Sequence, residues 1–433
     1  MKTSSILGLN ARTQLFAYKY NTKRGKSIAD SKIQTARVLK KAEVAHPEIF
    51  KKFMDPKDVL ESDWGSLPDQ FALKPSRGMG GEGIIVVKRR LKSNGKPIWL
   101  TTQKERVTAD DLKLHTLDIL EGAYSMGNDP DVAFIQEYVG RAKAFRRYAY
   151  RGTPDIRIIV FNKIPVMAML RLPTKESGGR ANLHQGALGV GVDIATGTTT
   201  NAIWHGSQIV YKPDTGRKLR GVKVPNWTLI LETAVKAAEA SNLGYVGVDI
   251  VLHPDKGPMV LELNAQPGLQ IQLANGEGLK KRLERVDDLN VIDADHGVRI
   301  AKMLFAGRFE NRAAQEEGIK TLKGLEEIKI YSFDKSRRVR ILARIDTGAM
   351  RSSIDRGLAE DLGLMTKENI LWKDKYEYRS ASGLQTRPVI GITYIIAGQK
   401  IRSTASVTDR SRMSTRFLMG RNDMAGFLIN PTQ

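Results

Sequence analysis

The sequence contains no cysteine, and this absence excludes two classes of site. Disulfide bonds cannot form, and neither can thiolate metal centres such as zinc fingers and iron–sulfur clusters. Histidine is also scarce, with 6 residues, the last of which is His296. A zinc site in the C-terminal part of the chain would therefore have only carboxylate ligands, which Zn²⁺ rarely uses.

Long apolar segments are absent as well. No run approaches the roughly 18 to 20 apolar residues that a membrane-spanning helix needs, and the N-terminal stretch MKTSSILGLNARTQLF lacks the long apolar core of a signal peptide. We therefore expect a cytoplasmic protein with no membrane partner. Aromatic residues make up only 7%, without the basic and aromatic interleaving of single-strand nucleic-acid binders.

Charge is the unusual bulk property. The 433 residues carry a net charge of +22, which predicts attraction to an anionic ligand or partner. Nucleotide phosphates, nucleic acid or a ribosome, and acidic peptides all satisfy this expectation. The alternative is a basic surface that is merely solvated.

The chain length favours two or three domains. Residues 1–30 are polar and basic with little periodicity, so we expect an N-terminal arm. Residues 31–306 alternate strand and helix patterns, with helices expected after Asp30 and at 108–126, 227–242 and 287–306. The charged stretch 307–324 has no strand pattern and predicts a linker. Residues 325–433 contain short strand patterns at regular spacing and predict an all-β domain.

A glycine-rich loop, RGMGGEG at 77–83, lies between the strand patterns FALKP and GIIVVK. Glycines let backbone N–H groups face an anion without steric hindrance. Rossmann and Walker loops lead from a strand into a helix, whereas this loop leads into a strand. We therefore expect a mobile hairpin lid over phosphates, with Lys74 facing the same phosphates. A hairpin with no ligand is the alternative.

An acidic group follows in GYVGVDIVLHPDKGPMVLELNAQPG, residues 244–268. A hairpin centred between Asp255 and Lys256 would set Asp249 across from Glu262, with Asn264 on the same face. Carboxylates so close together would repel unless a cation neutralised them, and all-oxygen ligands suit Mg²⁺. The alternative is an exposed polar hairpin face.

Together these segments resemble the ATP-grasp carboxylate–amine ligases, chiefly α-L-glutamate ligases and sugar-transfer-associated ATP-grasp proteins. The further stretches that carry the resemblance are DSK, FIQEYV, DIRIIVFNKIPVMAMLRLP and RANLHQGALGVGVD. It implies an α+β ATP-grasp fold in which two subdomains sandwich ATP, with the lid at 66–130. It also implies Mg²⁺, with Mn²⁺ as the alternative ion.

The resemblance assigns roles residue by residue. The nucleotide would contact the following side chains and backbone groups: Lys32, Lys74, Arg77, Gly78, Gly80, Gly81, Gly83, Gln136, Glu137, Tyr138 and Val139. The metal ligands would be Asp249, Glu262 and Asn264. The catalytic residues would be Arg157 and Arg171, which neutralise the transferred phosphate, and Arg180 and Asn182 at the reacting end.

The implied reaction joins an amino acid, such as glutamate, to an amine or peptide through an acyl phosphate. Phosphoryl transfer depends on positioning and charge neutralisation, which matches this set of residues. The basic segment GRAKAFRRYAYRG, residues 140–152, either recognises an anionic substrate or is a solvated loop.

The C-terminal segment RILARIDTGAMRSSI resembles retropepsin-like aspartic endopeptidases, as does SVTDRSRMSTRFLMGRNDMAGFLIN. This resemblance implies a small all-β barrel with Asp346 as the catalytic residue, FLMGRN at 417–422 packed beneath it, and a flap at 380–386. Aspartic catalysis needs two carboxylates that share a proton, so one Asp-Thr-Gly per chain requires a homodimer. A degenerate β-domain that only binds peptide or mediates dimerisation is the alternative.

Three functions remain open at this point. The first is a ligase fused to a peptidase or peptide-binding domain, the second a nucleotide-regulated aspartic endopeptidase, and the third an ATP-binding scaffold with a basic docking surface. A scaffold does not need the complete set of charged site residues, so their presence favours an enzyme.

Overall fold

The computed structural model describes residues 5–78, 80–92, 97–305, 320–372, 377–380, 383–425 and 427–430. The chain forms two compact units. The first contains the chain up to residue 193 and residues 197–294, and the second contains residues 194–196 and the chain from residue 295. Within the described ranges, no helix has the length and apolarity needed to span a bilayer.

The smaller sheet of the first unit has six antiparallel strands in the spatial order β1-β6-β2-β3-β4-β5. In chain order the strands are β1 (Ile49–Phe53), β2 (Phe71–Pro75), β3 (Ile85–Leu91), β4 (Ile98–Thr101), β5 (Arg106–Thr108) and β6 (Ala133–Glu137). The pairing of β2 with β3 confirms the expected strand–loop–strand arrangement of the glycine loop.

Two helices accompany this sheet, Pro56–Glu61 and Ala109–Leu120. The second begins as expected at Thr108, whose side chain caps the helix while Asp111 accepts a hydrogen bond from the Thr108 N–H. This reciprocal cap satisfies N–H groups that the first helical turn leaves unpaired. Buried aromatic and aliphatic side chains form the core between sheet and helices.

The larger sheet of the first unit has seven antiparallel strands in the order β11-β10-β9-β8-β7-β12-β13. The strands are β7 (Asp155–Phe161), β8 (Ile164–Leu172), β9 (Leu188–Val192), β10 (Thr199–Trp204), β11 (Ser207–Ile209), β12 (Tyr245–His253) and β13 (Gly257–Asn264). The helix Trp227–Ala240, close to its expected range, packs against β7, β8, β12 and β13. Two shorter helices follow, Gln270–Asn275 and Lys280–Glu284.

The N-terminal segment differs from the expected arm. It contains helical turns at Leu9–Ala11, Arg12–Ala17 and Tyr18–Tyr20, and the helices Lys23–Ala29 and Lys32–Lys41. Phe16 is buried against the ring of Phe161, and the Arg12 guanidinium donates to the carbonyls of Gln266 and Pro267 at 3.2 and 3.1 Å. Tertiary contacts of this kind order a segment whose local sequence has little periodicity.

The cap of the following helix also differs from the expectation. Ser31, not Asp30, accepts a hydrogen bond from Gln34 N–H at the start of Lys32–Lys41. Asp30 instead ends the preceding helix Lys23–Ala29. The two helices are separated by a single turn, which the hydrophobic pattern alone did not reveal.

The second unit contains a six-strand barrel. Its closed order is β15-β16-β23-β17-β22-β21, because β21 pairs back to β15, and β18 extends the sheet from β21. Its core includes Ile328, Ile330, Tyr394 and Phe417. The strands of the unit are β14 (Lys320–Lys323), β15 (Leu325–Tyr331), β16 (Arg338–Ile345), β17 (Ser352–Asp355), β18 (Ile370–Trp372), β19 (Glu377–Ser380), β20 (Gly383–Thr386), β21 (Val389–Ile396), β22 (Gln399–Thr408), β23 (Phe417–Met419) and β24 (Phe427–Asn430).

The helices Ala294–Leu304 and Arg356–Asp361 complete the described structure, and the first of them belongs to the second unit from Asp295 onward. Of the expected linker 307–324, residues 307–319 lie outside the described residues. Lys320–Lys323, also expected in the linker, form β14 and pair in parallel with β24. The partner strand is about 100 residues away in the sequence, so local sequence patterns could not predict this pairing. In the expected flap at 380–386, residues 381 and 382 are outside the described part, and β19 and β20 form a hairpin around them.

Candidate active site

The acidic hairpin has the expected pairing, reached through a different turn. His253 pairs with Gly257, so the turn is centred on Asp255 rather than after it. The register then shifts between Asp249 and Ile250, and this bulge restores the alignment of Asp249 with Glu262. The side chains of the predicted metal ligands thus meet at one place in the sheet.

A buried network of alternating charges crosses three adjacent strands. Asp249 receives Arg157 Nε on Oδ1 and Arg157 Nη2 on Oδ2, both at 2.7 Å, and Arg171 Nη2 on Oδ2 at 2.6 Å. Arg171 also donates to both oxygens of Asp155, at 2.5 and 2.8 Å. The register explains the network, because Arg157 pairs with Asp249 and Asp155 pairs with Arg171.

The electrostatics of this network separate the two aspartates. Burial, with a contribution from the Asp249 charge, raises the pKa of Asp155 to about 6 despite the opposing effect of Arg171. Burial alone would raise the pKa of Asp249 too, but the charges and hydrogen bonds of Arg157 and Arg171 hold it below its usual value. Asp249 is therefore the more firmly ionised of the two carboxylates.

The residues chemically fit a hard cation such as Mg²⁺, because Asp249, Glu262 and Asn264 offer carboxylate and amide oxygens. The Asn264 amide also lies close to Asp249, with Nδ2 at 3.3 Å from Oδ2. The sequence suggested that Asp249 needs a cation to neutralise its charge. In the structure it does not, because two arginines already pair with it. Within the described residues, no cluster of three or more His, Asp or Glu side chains has metal-binding geometry.

The two lysines expected at the phosphates lie beside the glycine loop. Lys74 is buried on β2 and donates to Gln136 Oε1 at 2.8 Å. Burial and the neighbouring Lys32 ammonium lower the pKa of Lys74 to about 8, against the opposing charge of Glu262. Lys32 donates to the carbonyl of Gly78 at 2.7 Å. The Lys74 ammonium is thus close enough to both Lys32 and Glu262 for their charges to affect its pKa.

The glycine loop approaches the expected reacting end. Gly80 and Gly81 have positive φ angles of 66° and 81°, a conformation that glycine adopts without strain. The Asn182 amide lies 3.4 Å from the Gly80 carbonyl, and a side chain at Gly81 would contact Arg180. At the base of the loop, Arg77 N–H donates to Asp131 at 2.8 Å, and Gly83, also at positive φ, leaves no room for a Cβ beside Tyr124.

The segment expected along the adenine begins at the end of β6. Glu137 exchanges backbone and side-chain hydrogen bonds with Glu48 and contacts the Lys256 ammonium. Burial opposes ionisation of Glu137, but its pKa is lowered by Lys256 and by the Glu48 N–H. Burial raises the pKa of the next residue, Tyr138, and the Val139 carbonyl accepts from the Thr153 hydroxyl at 2.8 Å.

Asp155 is the member of this network that sequence reasoning missed. Its signal was present in DIR, because strand alternation sets Asp155 on the same face as Arg157. The residue had no role assigned by the resemblance to ATP-grasp ligases. Its pairing with Arg171 depends on the register of β7 with β8.

In the second unit, the Asp346 loop follows β16. The carboxylate Oδ1 of Asp346 accepts from the N–H groups of Gly348 and Ala349 at 2.8 and 3.2 Å. The Asp346 N–H donates to the Met419 carbonyl at 3.0 Å, and β23 runs parallel to β16. The segment 417–422 thus lies directly beside the Asp346 loop.

Comparison with known proteins gives consistent matches for the first unit. The family described as sugar-transfer associated ATP-grasp matches residues 11–288. A probable alpha-L-glutamate ligase of Halorhodospira halophila is 27% identical over 265 residues, which cover 61% of this chain and 64% of that protein. Another, from Citrobacter koseri, is 31% identical over 136 residues, which cover 31% of each chain. The chain thus matches less than two thirds of the length of either relative.

Among solved structures, a D-alanine–D-alanine ligase from Bacillus anthracis complexed with ATP is similar over 69% of this chain and 71% of its own. The sequence identity is 14% and the TM-score 0.34, which is a low overall similarity.

Proposed function

Because the chain belongs to the sugar-transfer associated ATP-grasp family, we propose that it is an ATP- and Mg²⁺-dependent carboxylate–amine ligase. The observation that carries the proposal is the buried network of Arg157, Asp249, Arg171 and Asp155 beside Glu262. A protein rarely buries this many charges unless they act on a charged ligand or pair with one another. Here the arginines lie on the same sheet face as the further oxygen donors of Glu262 and the neighbouring amide.

The nucleotide would lie between the two sheets of the first unit. Lys32 and Lys74 supply ammonium groups for the phosphates, and the glycine loop supplies backbone N–H groups. With a pKa of about 8, Lys74 is largely protonated at pH 7 and can pair with a phosphate. Residues Gln136 to Val139 would line the adenine.

Asp249, Glu262 and Asn264 would hold Mg²⁺, or Mn²⁺ as the alternative ion. When bound, the ion neutralises phosphate oxygens and orients them for transfer. An ion bound to Oδ2 of Asp249 would compete with the contacts of this oxygen to Arg157 and Arg171. A released guanidinium would then be available to the transferred phosphoryl group, so ion binding and phosphate binding are linked through Asp249.

The reaction would transfer the γ-phosphoryl group of ATP to a carboxylate, which releases ADP and forms an acyl phosphate. An amine would then attack the acyl carbon to form an amide and release phosphate. Arg157 and Arg171 neutralise charge on the transferred group, while Arg180 and Asn182 lie where the loop tip meets the reacting end. The curated relatives are named as probable alpha-L-glutamate ligases, which makes glutamate the first amino acid to test, with an amine or peptide as the second substrate.

The test is ADP release from the purified protein with Mg-ATP and a panel of the twenty amino acids and short acidic peptides. We expect release that depends on one amino acid and is abolished in Glu262→Gln. Glu284→Gln, at an exposed position of the helix Lys280–Glu284, is the matched control and should retain activity. ATP binding without release by any combination would favour the scaffold with a basic docking surface for nucleic acid or a ribosome.

A second candidate activity concerns Asp346, whose Oδ1 accepts hydrogen bonds from the N–H groups of Gly348 and Ala349. A homodimer that pairs two Asp346 side chains would be an aspartic endopeptidase, and a monomer would at most bind peptide. Light scattering gives the oligomeric state, and cleavage of a peptide library by the wild type but not by Asp346→Asn would establish the peptidase. A nucleotide-regulated peptidase would further lose ATP dependence in Glu262→Gln.

A further inference from the structure

A cavity of about 210 Å³ opens in the first unit beside the expected reacting end. Two of its lining residues, Leu183 and His184, directly follow Asn182, and the His184 N–H donates to the Asn182 side chain at 3.0 Å. The Asn182 amide in turn faces the Gly80 carbonyl of the glycine loop. The cavity thus begins one residue from the group that contacts the loop tip.

The larger sheet relates the cavity to the arginines as well. Ile203, another lining residue, pairs with Gly189, and Gly189 pairs with Arg171. Directly paired residues point to the same face of a sheet, so Ile203 and Arg171 share a face two strand spacings apart, or about 10 Å. A substrate group in the cavity would therefore lie within reach of the phosphate that Arg171 is proposed to bind.

Most of the surface that lines the cavity is polar, and apolar residues lie beneath it at the floor. Ala187 and Ile203 are buried, at 1% and 2% exposure, and Leu183 packs over Gly189, which has no side chain to block it. The volume is below the roughly 300 to 1,000 Å³ typical of sites for whole drug-sized ligands. It suits a single side chain rather than a nucleotide or a sugar chain.

The rim is polar but contains no fixed positive charge. It is formed by His184, His205 and Gln270, and neither lysine nor arginine is among the described residues that line the cavity. His205 is paired with the Glu176 carboxylate at 3.0 Å. Through this pair the Glu176 carboxylate lies next to a lining residue, and no permanent cation lines the cavity among the residues described. An acidic side chain would therefore lack a compensating positive charge, which an uncharged side chain does not need.

The rim is also held in place. His205 and Gly206 both have positive φ angles, 49° and 77°, in the tight turn between β10 and β11. The neighbouring Trp204 donates its indole N–H to the Gly186 carbonyl at 3.0 Å, and its ring contacts the His205 ring. Because these contacts hold the rim side chains in place, the rim would discriminate between substrates by the charges already present and not by a change of its conformation.

We propose that this cavity binds the side chain of an uncharged amino acid substrate of the ligase and discriminates against acidic ones. The inference rests on the proposed ligase function and narrows it, because it replaces glutamate with an uncharged residue at this subsite. Glutamine and glutamate form the matched pair for a test, since they have the same shape and differ in charge.

The test is isothermal titration of L-glutamine, L-leucine and L-glutamate into the full chain with Mg²⁺ and a non-hydrolysable ATP analogue. We expect glutamine or leucine to bind at least about tenfold more tightly than glutamate. In the double variant His184→Arg and Glu176→Gln, glutamate binding should strengthen about tenfold, because a cation is added at a lining position and the carboxylate next to His205 is removed. Leu114→Arg, which adds a cation at an exposed helix position, should leave the affinities of all three amino acids unchanged.

Glutamate binding that equals or exceeds that of both uncharged amino acids overturns the inference, as does the absence of binding by all three. If the double variant fails to fold, Ile203→Val provides a second readout: it enlarges the floor and should strengthen phenylalanine binding relative to leucine. ADP release in the same samples separates the two proposals. Release with glutamate but no preference for uncharged residues leaves the ligase and removes the inference. A clear binding preference without release leaves the selectivity of the cavity but removes its role as a substrate site of a ligase.

Discussion

The position of the Arg171 side chain depends on the two carboxylates that it contacts. It contacts Asp155 on one side and Asp249 on the other, and both carboxylates are buried. Asp155 has no other arginine within hydrogen-bond distance among the described residues, so it anchors Arg171 while Asp249 is shared with Arg157. Asp155 is thus a positioning residue for the proposed reaction.

Replacement of Asp155 by asparagine would leave Arg171 with only the Asp249 carboxylate, which it shares with Arg157. We expect Asp155→Asn to lower the free energy of unfolding by about 3 kcal/mol and to reduce kcat more than the KM for ATP. Urea unfolding and steady-state kinetics measure the two effects. Asp118→Asn, at an exposed helix position, is the control, and equal losses in both variants would contradict the anchoring role.

Lys74 provides a prediction for the pH dependence of nucleotide binding. Its pKa of about 8 means that the ammonium loses its proton as the pH rises through that value. Phosphate binding needs the charged form, so the Kd for ATP should rise by up to about tenfold per pH unit above 8. In Lys74→Arg the guanidinium stays charged, and titration calorimetry should show a flatter profile. The same slope in both proteins would exclude Lys74 as the titrating group.

At the scale of elements, the glycine loop depends on the positive φ angles of its glycines more than on close contacts with its surroundings. Gly80 and Gly216 make a matched pair, with φ angles of 66° and 63°. An added Cβ would lie 3.5 Å from its nearest neighbour at Gly80 and would have no atom within 4 Å at Gly216. Alanine at either site adopts an unfavourable left-handed conformation that costs about 1 to 2 kcal/mol. The two substitutions should therefore destabilise their loops alike.

Only one of these two alanine substitutions should change the affinity for ATP. We expect Gly80→Ala to weaken ATP binding about tenfold, since it restricts the loop that faces the phosphates, and Gly216→Ala to leave binding unchanged. Nucleotide titration together with thermal unfolding measures both variants. Equal ATP affinities in the two would mean that the loop does not contact the nucleotide.

The acidic hairpin shows what strand patterns can and cannot predict. Alternation and the turn residues predicted that Asp249 faces Glu262, and the structure has this pairing. The turn itself is centred on Asp255 rather than between Asp255 and Lys256, and a bulge compensates for the difference. The alternation of the strands predicts which residues share a face, but it does not specify the length of the turn or the position of a bulge.

For the whole molecule, the division into two units predicts separable unfolding. The first unit carries the proposed nucleotide site, and the second is a barrel with its own core. Calorimetry should show two transitions, of which Mg-ATP at one hundred times its Kd stabilises one by about 2.7 kcal/mol. In Glu262→Gln the ligand-dependent shift should shrink. A single transition, or equal shifts of both, would contradict independent units.

The sequence by itself determined the features that arise from neighbouring residues. Periodicity predicted the helices Ala109–Leu120 and Trp227–Ala240, and strand spacing predicted the all-β character of the second unit. The glycine loop between two strands and the facing of Asp249 with Glu262 also follow from short-range patterns. Each depends on backbone propensity or on side-chain alternation within a few residues.

Only the tertiary structure decided which strands lie side by side. The pairing of β7 with β8 and β12 creates the arginine–aspartate network, the pairing of β15 with β21 closes the barrel, and Arg12 binds a loop far along the chain. The cavity beside Asn182 likewise combines three separate segments. Alternation reveals which residues share a face, but the choice of neighbouring strand depends on burial and hydrogen bonding summed over the whole sheet.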